Sequence, residues 1–360
     1  MRTSTIYLLI IMMLAIAIFA LSKSKESPST YEWLLPHEGF VFEVAFSSGG
    51  KTVVSASHDG TARLWDVVSG QPIGEPLKHQ KSVHAVAFSP DGKMVITGSF
   101  DGTAQLWDAT NGQPIGNPLM HQDGVLWVAF SPDGKTVLTA CFDNTVRLWD
   151  VVSGQPTGET LKHKGRVSVM SFSPDGKIVA TGSGNNVQLW CAVSGQPKGR
   201  PIIHGSSVNA LAFSPDSKTI VTGSLDNHAY LWDVASGQPK GESLKHQGLV
   251  MAVAFSPDGK VVITGSFDGT AQLWDATSGQ PIGNPLMHQE SVHAVAFSPD
   301  GKRIITANKN TARLWDVATG KPYGGALIHD DIIKAVAFSP DGKMVITGSF
   351  DGTARLWKVP

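Results

Sequence analysis

His79, Thr97, Asp101 and Trp107 are where this 360-residue sequence comes closest to chemistry. A His, an Asp and a Ser or Thr are the parts of a nucleophilic triad, in which imidazole accepts a hydroxyl proton and a carboxylate orients the ring. The same types return at the same offsets as His37, Ser55, Asp59 and Trp65, and as His121, Thr139, Asp143 and Trp149. They recur as His204, Thr222, Asp226 and Trp232; His246, Thr264, Asp268 and Trp274; and His329, Thr347, Asp351 and Trp357. A nucleophile needs one exposed copy, so a set written six times on one period is structural, and no catalytic residue is assigned. Glycine-rich phosphate loops, metal-spaced His/Cys clusters and nucleophile motifs are all missing from the sequence. The chain is therefore read as a non-enzyme with no cofactor and no metal.

The stretch that must position these residues is Val86–Asp108, VAFSPDGKMVITGSFDGTAQLWD. It reads as three short strands, VAF, MVIT and TAQLW, cut by the turns PDG and FDG. So small a piece cannot bury both faces alone, and the sequence writes it eight times. Leu-Trp pairs end at Trp65, Trp107, Trp149, Trp190, Trp232, Trp274, Trp315 and Trp357, spaced 42, 42, 41, 42, 42, 41 and 42 residues apart. A period of 40–45 residues signals a closed array of four-stranded blades. Gly 38 and Pro 21 agree with an all-β chain. A net charge of −1 without a basic stripe argues against a nucleic-acid partner. Cys141 and Cys191 sit at different points of their repeats and are read as structural thiols rather than a disulfide.

With these residues in view, the chain resembles the WD-repeat β-propeller family over about residues 31–360. Trp-Asp closes six repeats, with Cys191 and Lys358 in the Asp position of the other two. The resemblance implies a buried hydrogen-bond chain of Trp, Ser/Thr, His and Asp in each blade, such as His79, Thr97, Asp101 and Trp107. The physics agrees, because an unpaired buried polar group costs about 1–3 kcal/mol. A Leu two residues before the His marks a fourth, outer strand; it recurs from Leu35 to Leu327, with Ile202 in one linker. The expected fold is a single eight-bladed β-propeller of four-stranded antiparallel blades. The family's closure pairs the N-terminal outer strand, Tyr31–Pro36, with the C-terminal strand, Thr353–Trp357. Two repeats are one residue short and lack the Asp, around Gly184-Asn185-Asn186 and Lys309-Asn310. Asn suggests a two-residue turn with a left-handed residue there. His163 and His288 then lack a carboxylate, which makes the fourth and seventh blades the weak ones.

Ahead of the repeats, Ile6–Leu21 is a run of sixteen apolar residues, between the lengths of a signal-peptide core and a spanning helix. Residues 1–22 are read as a membrane anchor or a signal peptide and 23–30 as a polar linker, giving a membrane-anchored or exported protein of uncertain orientation. A buried core helix is the bland alternative.

In the family, partners dock on the face that carries the loops before the first strand and between the second and third. The positions three and five after the His and one before the Asp project there. They include Phe40, Phe42, Phe100, Leu126, Phe142, Leu249, Met251, Phe267 and Phe350. So apolar a set suits protein binding. The competing reading is that Phe packs over its turn and was copied with the repeat, since Lys93–Val125 and Lys260–Val292 differ at only four positions. The opposite face, with its Pro-Asp-Gly-Lys turns, reads as solvated. The expected function is a monomeric, non-catalytic protein-interaction scaffold; the alternative is a small-ligand or glycan binder using the central channel.

Overall fold

The computed structural model describes residues 29–360. Its folding unit is the three-stranded piece seen in the sequence, with each turn built from side chains. In the second repeat Ser89 Oγ donates to Asp91 Oδ1 at 2.6 Å, and the Lys93 and Met94 N–H groups donate to Asp91 Oδ1 and Ser89 Oγ. This reverses the chain between β6 (Val83–Phe88) and β7 (Met94–Ser99). Asp101 Oδ1 then accepts from Thr103 N–H and Oγ1–H at 2.9 and 2.7 Å, turning β7 into β8 (Thr103–Asp108). Gly102 takes φ +87° in that turn, open to few residues other than glycine. The linker supplies β9 (Pro114–Met120), and β6-β7-β8-β9 form one antiparallel blade.

Eight such sheets follow one another, and the ring closes through β1 (Trp33–Pro36). It pairs with β32 (Thr353–Lys358) in the register Trp33↔Leu356 to Pro36↔Thr353. Blade 8 is thus shared between the two ends of the repeat region, and the sheet order β1-β32-β31-β30, with β30 (Ile333–Phe338) innermost and β31 (Met344–Ser349) between, completes it.

Each hydrophobic cluster lies between two blades. Val54, Leu64 and Leu77 of blade 1 pack on Val83, Val86 and Trp107 of blade 2. At the closure Leu35, Ile346 and Leu356 of blade 8 pack on Val41, Val44 and Trp65 of blade 1. The outer-strand Leu residues serve these clusters, with Leu35, Leu77, Leu161 and Leu244 fully buried. Close approach depends on glycine: a Cβ on Gly98 would stand 2.8 Å from Val125 Cγ1 of the next blade. Blades 1, 3 and 7 have Ala56, Ala140 and Ala307 at that position, and in blade 3 Trp127 also lies against the cluster it forms with blade 4. That junction is the loosest around the axis.

The membrane-anchored or exported location is corrected here. The fold is built of strands, and no helix among the described residues is long and apolar enough to cross a membrane. Ile6–Leu21, on which that expectation rested, lies outside the described residues.

Both short repeats make two-residue turns, with Ser183↔Asn186 and Asn308↔Thr311 as the closing pairs. The left-handed residue differs from the one expected. Gly184 (φ +54°) and Lys309 (φ +28°) take it rather than an Asn, because positive φ falls on the first central residue. Asn185 and Asn310 instead donate side-chain N–H to His204 O and His329 O at 3.2 and 3.1 Å.

Candidate functional site

Four blades close the full hydrogen-bond chain. His79 Nε2 lies 2.7 Å from Thr97 Oγ1, which also accepts from Trp107 Nε1 at 2.8 Å, while His79 Nδ1 lies 3.1 Å from Asp101 Oδ2. His37, His246 and His329 repeat this with Asp59, Asp268 and Asp351 at 3.0, 3.2 and 2.8 Å. Burial lowers each of these imidazoles, against the pull of the carboxylate. For Asp59, burial pushes the carboxyl up, but hydrogen bonds from His37, Thr61 and Glu38 N–H outweigh it and hold it far below the usual range. At neutral pH these are neutral imidazoles donating to carboxylates.

The other two full sets do not close, which corrects the expectation of six. Asp143 is held by Thr145 and, at 3.4 Å, by Arg147, and both ring nitrogens of His121 lack a hydrogen-bond partner among the described residues. Asp226 accepts from the Tyr230 hydroxyl at 3.1 Å and from Gly205 N–H at 3.0 Å, leaving His204 Nδ1 unpaired. In the short repeats His163 and His288 reach only their Thr, at 2.7 and 3.0 Å.

The residues before each innermost strand and before each Asp are tied by backbone bonds, among them His58 N–H to Phe40 O and Phe100 N–H to Ser82 O. This gathers their side chains on one face, where rings join across blades. Phe350 lies 5.0 Å from Phe40 and 5.9 Å from Phe42. Phe42 stacks on His84 at 4.6 Å, and His84 stacks on Phe100 at 5.1 Å with planes 12° apart. Phe100 meets Phe142 edge-on at 5.4 Å, and the Arg166 guanidinium lies 4.8 Å over Phe142. One continuous aromatic arc therefore runs from blade 8 through blades 1, 2 and 3 to a cation on blade 4.

The remaining predicted residues fall outside this arc. Phe267 is 61% exposed and belongs to none of the ring contacts among the described residues. Leu249 and Met251 are half-buried on the same face. Leu126 is fully buried, and its carbonyl lies 3.3 Å from His84 Nδ1. Its side chain belongs to the interior of the fold.

Arg166 and His293 were missed because the offsets were counted only where a repeat had its Asp. The same three-after and five-after positions from His163 and His288 give Arg166, Ser168, Ser291 and His293. Ser168 donates to Val208 O at 2.6 Å, Asn209 Nδ2 donates to Met251 O at 3.3 Å, and His293 Nε2 lies 2.5 Å from Ile333 O. With His84, these residues stitch innermost strands to their neighbours around the channel mouth. Below them Glu43 accepts from Val86 N–H of the next blade at 2.9 Å. Burial pushes its carboxyl up to about 7, against the pull of Val86 N–H and Lys334. No group of three or more His, Cys, Asp or Glu among the described residues could hold a metal ion.

The fold and repeated hydrogen-bond chains define a β-propeller. Eight matches to the family described as WD domain, G-beta repeat cover residues 29–66, 70–108, 112–150, 154–191, 195–233, 237–275, 279–316 and 326–358. The chain belongs to this WD-repeat family. The crystal structure of the computationally designed Ika8 protein is 29% identical at a TM-score of 0.81, over 91% of this chain and 99% of that one. The Denticleless protein homolog of Danio rerio is 44% identical over 50 residues, 14% of this chain and 8% of that protein's length.

Proposed function

We propose that the protein is a non-catalytic protein-interaction scaffold whose docking surface is the aromatic arc from Phe350 through Phe40, Phe42, His84 and Phe100 to Phe142. The observation that carries this reading is the arc's continuity together with the 46% exposure of Phe40. Rings that already pack on one another lose little side-chain freedom on docking, which is the character of interface anchors. Membership of a family built around repeated blades supports a binding role. The hydrogen-bond chains, copied from blade to blade, account for the fold and carry no partner specificity.

The test is a quantitative pull-down with the full chain and with a Phe40→Ser/Phe42→Ser double variant of matched melting temperature. Truncating a central aromatic anchor costs about 2 kcal/mol, or roughly 30-fold in affinity. The captured proteins are expected to be lost from the double variant and retained by a Phe267→Ser variant outside the arc. Equal capture by the wild type and the double variant would reject this surface.

A further inference from the structure

Blade 7 has lost its turn aspartate, and the described chain begins beside that blade. A cavity of about 540 Å³ there is lined by Pro285, Met287, Thr311, Arg313, Trp315 and Ala326 among others. Its wall is apolar at Pro285, Met287 and Trp315, and Met287 is 67% exposed. In two other blades the arginine equivalent to Arg313 holds a carboxylate. Arg147 lies 3.4 Å from Asp143, and Arg355 lies 3.1 Å from both Asp330 and Asp351. Blade 7 has Gln289 where blade 8 has Asp330, and its two-residue turn deletes the counterpart of Asp351. Positive charge is felt inside the cavity, where burial and then Arg313 hold His288 down to about 4.

The chain ahead of the ring starts at this wall. Ser29 N–H donates to Ala326 O at 3.0 Å, next to β29 (Leu327–Ile328), the outer strand of blade 7. Three residues later Glu32 N–H donates to Leu356 O of blade 8 at 2.7 Å. Glu26 is the only acidic residue before Ser29. The three residues between them span at most about 11 Å, at 3.3–3.6 Å per residue. Pro28 restricts Ser27 to extended backbone, and along an extended run Glu26 projects to the side opposite Lys25.

We infer that the blade 7 cavity takes residues 22–28 of this chain, with the Glu26 carboxylate meeting the Arg313 guanidinium in the place of the deleted aspartate. A carboxylate and a guanidinium make paired, charge-assisted hydrogen bonds. Set against about 30 Å³ for a water in the liquid, the cavity admits backbone as well as the acid group. Leu21, where the apolar run ends, then lies within about 18 Å of blade 7, so the run departs from the outer wall of the ring. No residue of the aromatic arc belongs to blade 7, and the arc stays open to a partner while the segment is seated.

The test is limited proteolysis of the full folded chain with trypsin, following cleavage after Lys23, whose scissile bond does not include position 26. The wild type is expected to be cut slowly there, and Glu26→Gln and Arg313→Gln variants roughly tenfold faster, from the loss of one charge-assisted pair. The wild-type rate should not depend on protein concentration. Protection that grows with concentration would place the segment on blade 7 of a second copy and overturn the intrachain reading. Melting temperatures of the two single variants and the double variant complete a cycle. Glu26→Gln is expected to lower the wild-type value and to leave the Arg313→Gln value unchanged. Glu26 lies outside the repeats, so its replacement leaves the contacts within the ring intact. Equal cleavage of the wild type and both variants, or a Glu26→Gln effect that persists beside Arg313→Gln, would overturn the proposal.

Discussion

The ionisable residues of this propeller pull stability in opposite directions as pH changes. His37, His79, His246 and His329 lie below their ordinary value because burial disfavours the charged ring, and burial with the Arg147 charge takes His121 to about 4. Below about pH 6.5 the unfolded chain binds more protons at these sites than the folded one, so they cost stability as pH falls. Glu43 has the opposite sign. Its folded value of about 7 lies above the ordinary 4.5, so the folded chain binds more protons in that window and loses stability as pH rises through it. The charged group facing Glu43 is Lys334 on blade 8, with Val86 N–H of blade 2 as its hydrogen-bond donor. A Glu43→Gln variant keeps an acceptor for that N–H and removes the ionisation. It is expected to be more stable than wild type by about 2–3 kcal/mol at pH 8 and equal to it near pH 4.5. Urea unfolding at the two pH values measures this, and a constant difference would contradict the assignment.

Blades are not equivalent elements, although the sequence repeats them. Blades 8, 1 and 2 have closed His–Asp chains and are contiguous around the shared blade, with blade 6 as the fourth complete one. Blades 3, 4 and 5 form an arc in which His121, His163 and His204 each leave a buried nitrogen unpaired. Each unpaired group costs about 1–3 kcal/mol, and the loosest junction, at Trp127, falls inside this arc. Counting Asp residues alone pointed to the fourth and seventh blades. The structure adds unpaired imidazole nitrogens in blades 3 and 5, because Arg147 and Tyr230 hold the carboxylates there. Hydrogen exchange is expected to open β11 (Thr136–Cys141), β15 (Ile178–Ser183) and β19 (Thr219–Ser224) before β7, their counterpart in blade 2. Equal protection across these second strands would show that the unpaired imidazoles have no energetic weight.

At the scale of the ring, the number of blades was legible in the Trp period and the outer strands in the recurring Leu residues, while the closure followed from the resemblance to the WD-repeat family. The docking face was only half legible. Offsets from the His place Phe42 and Leu126 identically, yet Phe42 stacks on His84 while Leu126 is fully buried, its carbonyl 3.3 Å from His84 Nδ1. What decides the difference is the neighbour one blade away, about 42 residues distant in sequence, and no local pattern reports it. The same non-local logic governs closure. Leu35 is fully buried in the cluster between blades 8 and 1, and Tyr31 meets Trp357 edge-on at 5.8 Å. Removing Tyr31–Pro36 takes away the only strand pairing that links the two ends of the described chain and exposes the outer edge of β32. Loss of the Leu35 side chain alone costs about 3 kcal/mol, and an unpaired edge invites association with a second chain. The truncated protein is expected to melt well below the wild type and to self-associate as its concentration rises. A synthetic peptide carrying residues 31–36 should reverse both effects by pairing with β32 in trans. An unchanged melting temperature after the deletion would mean that the ring is held by blade-to-blade packing without its shared blade.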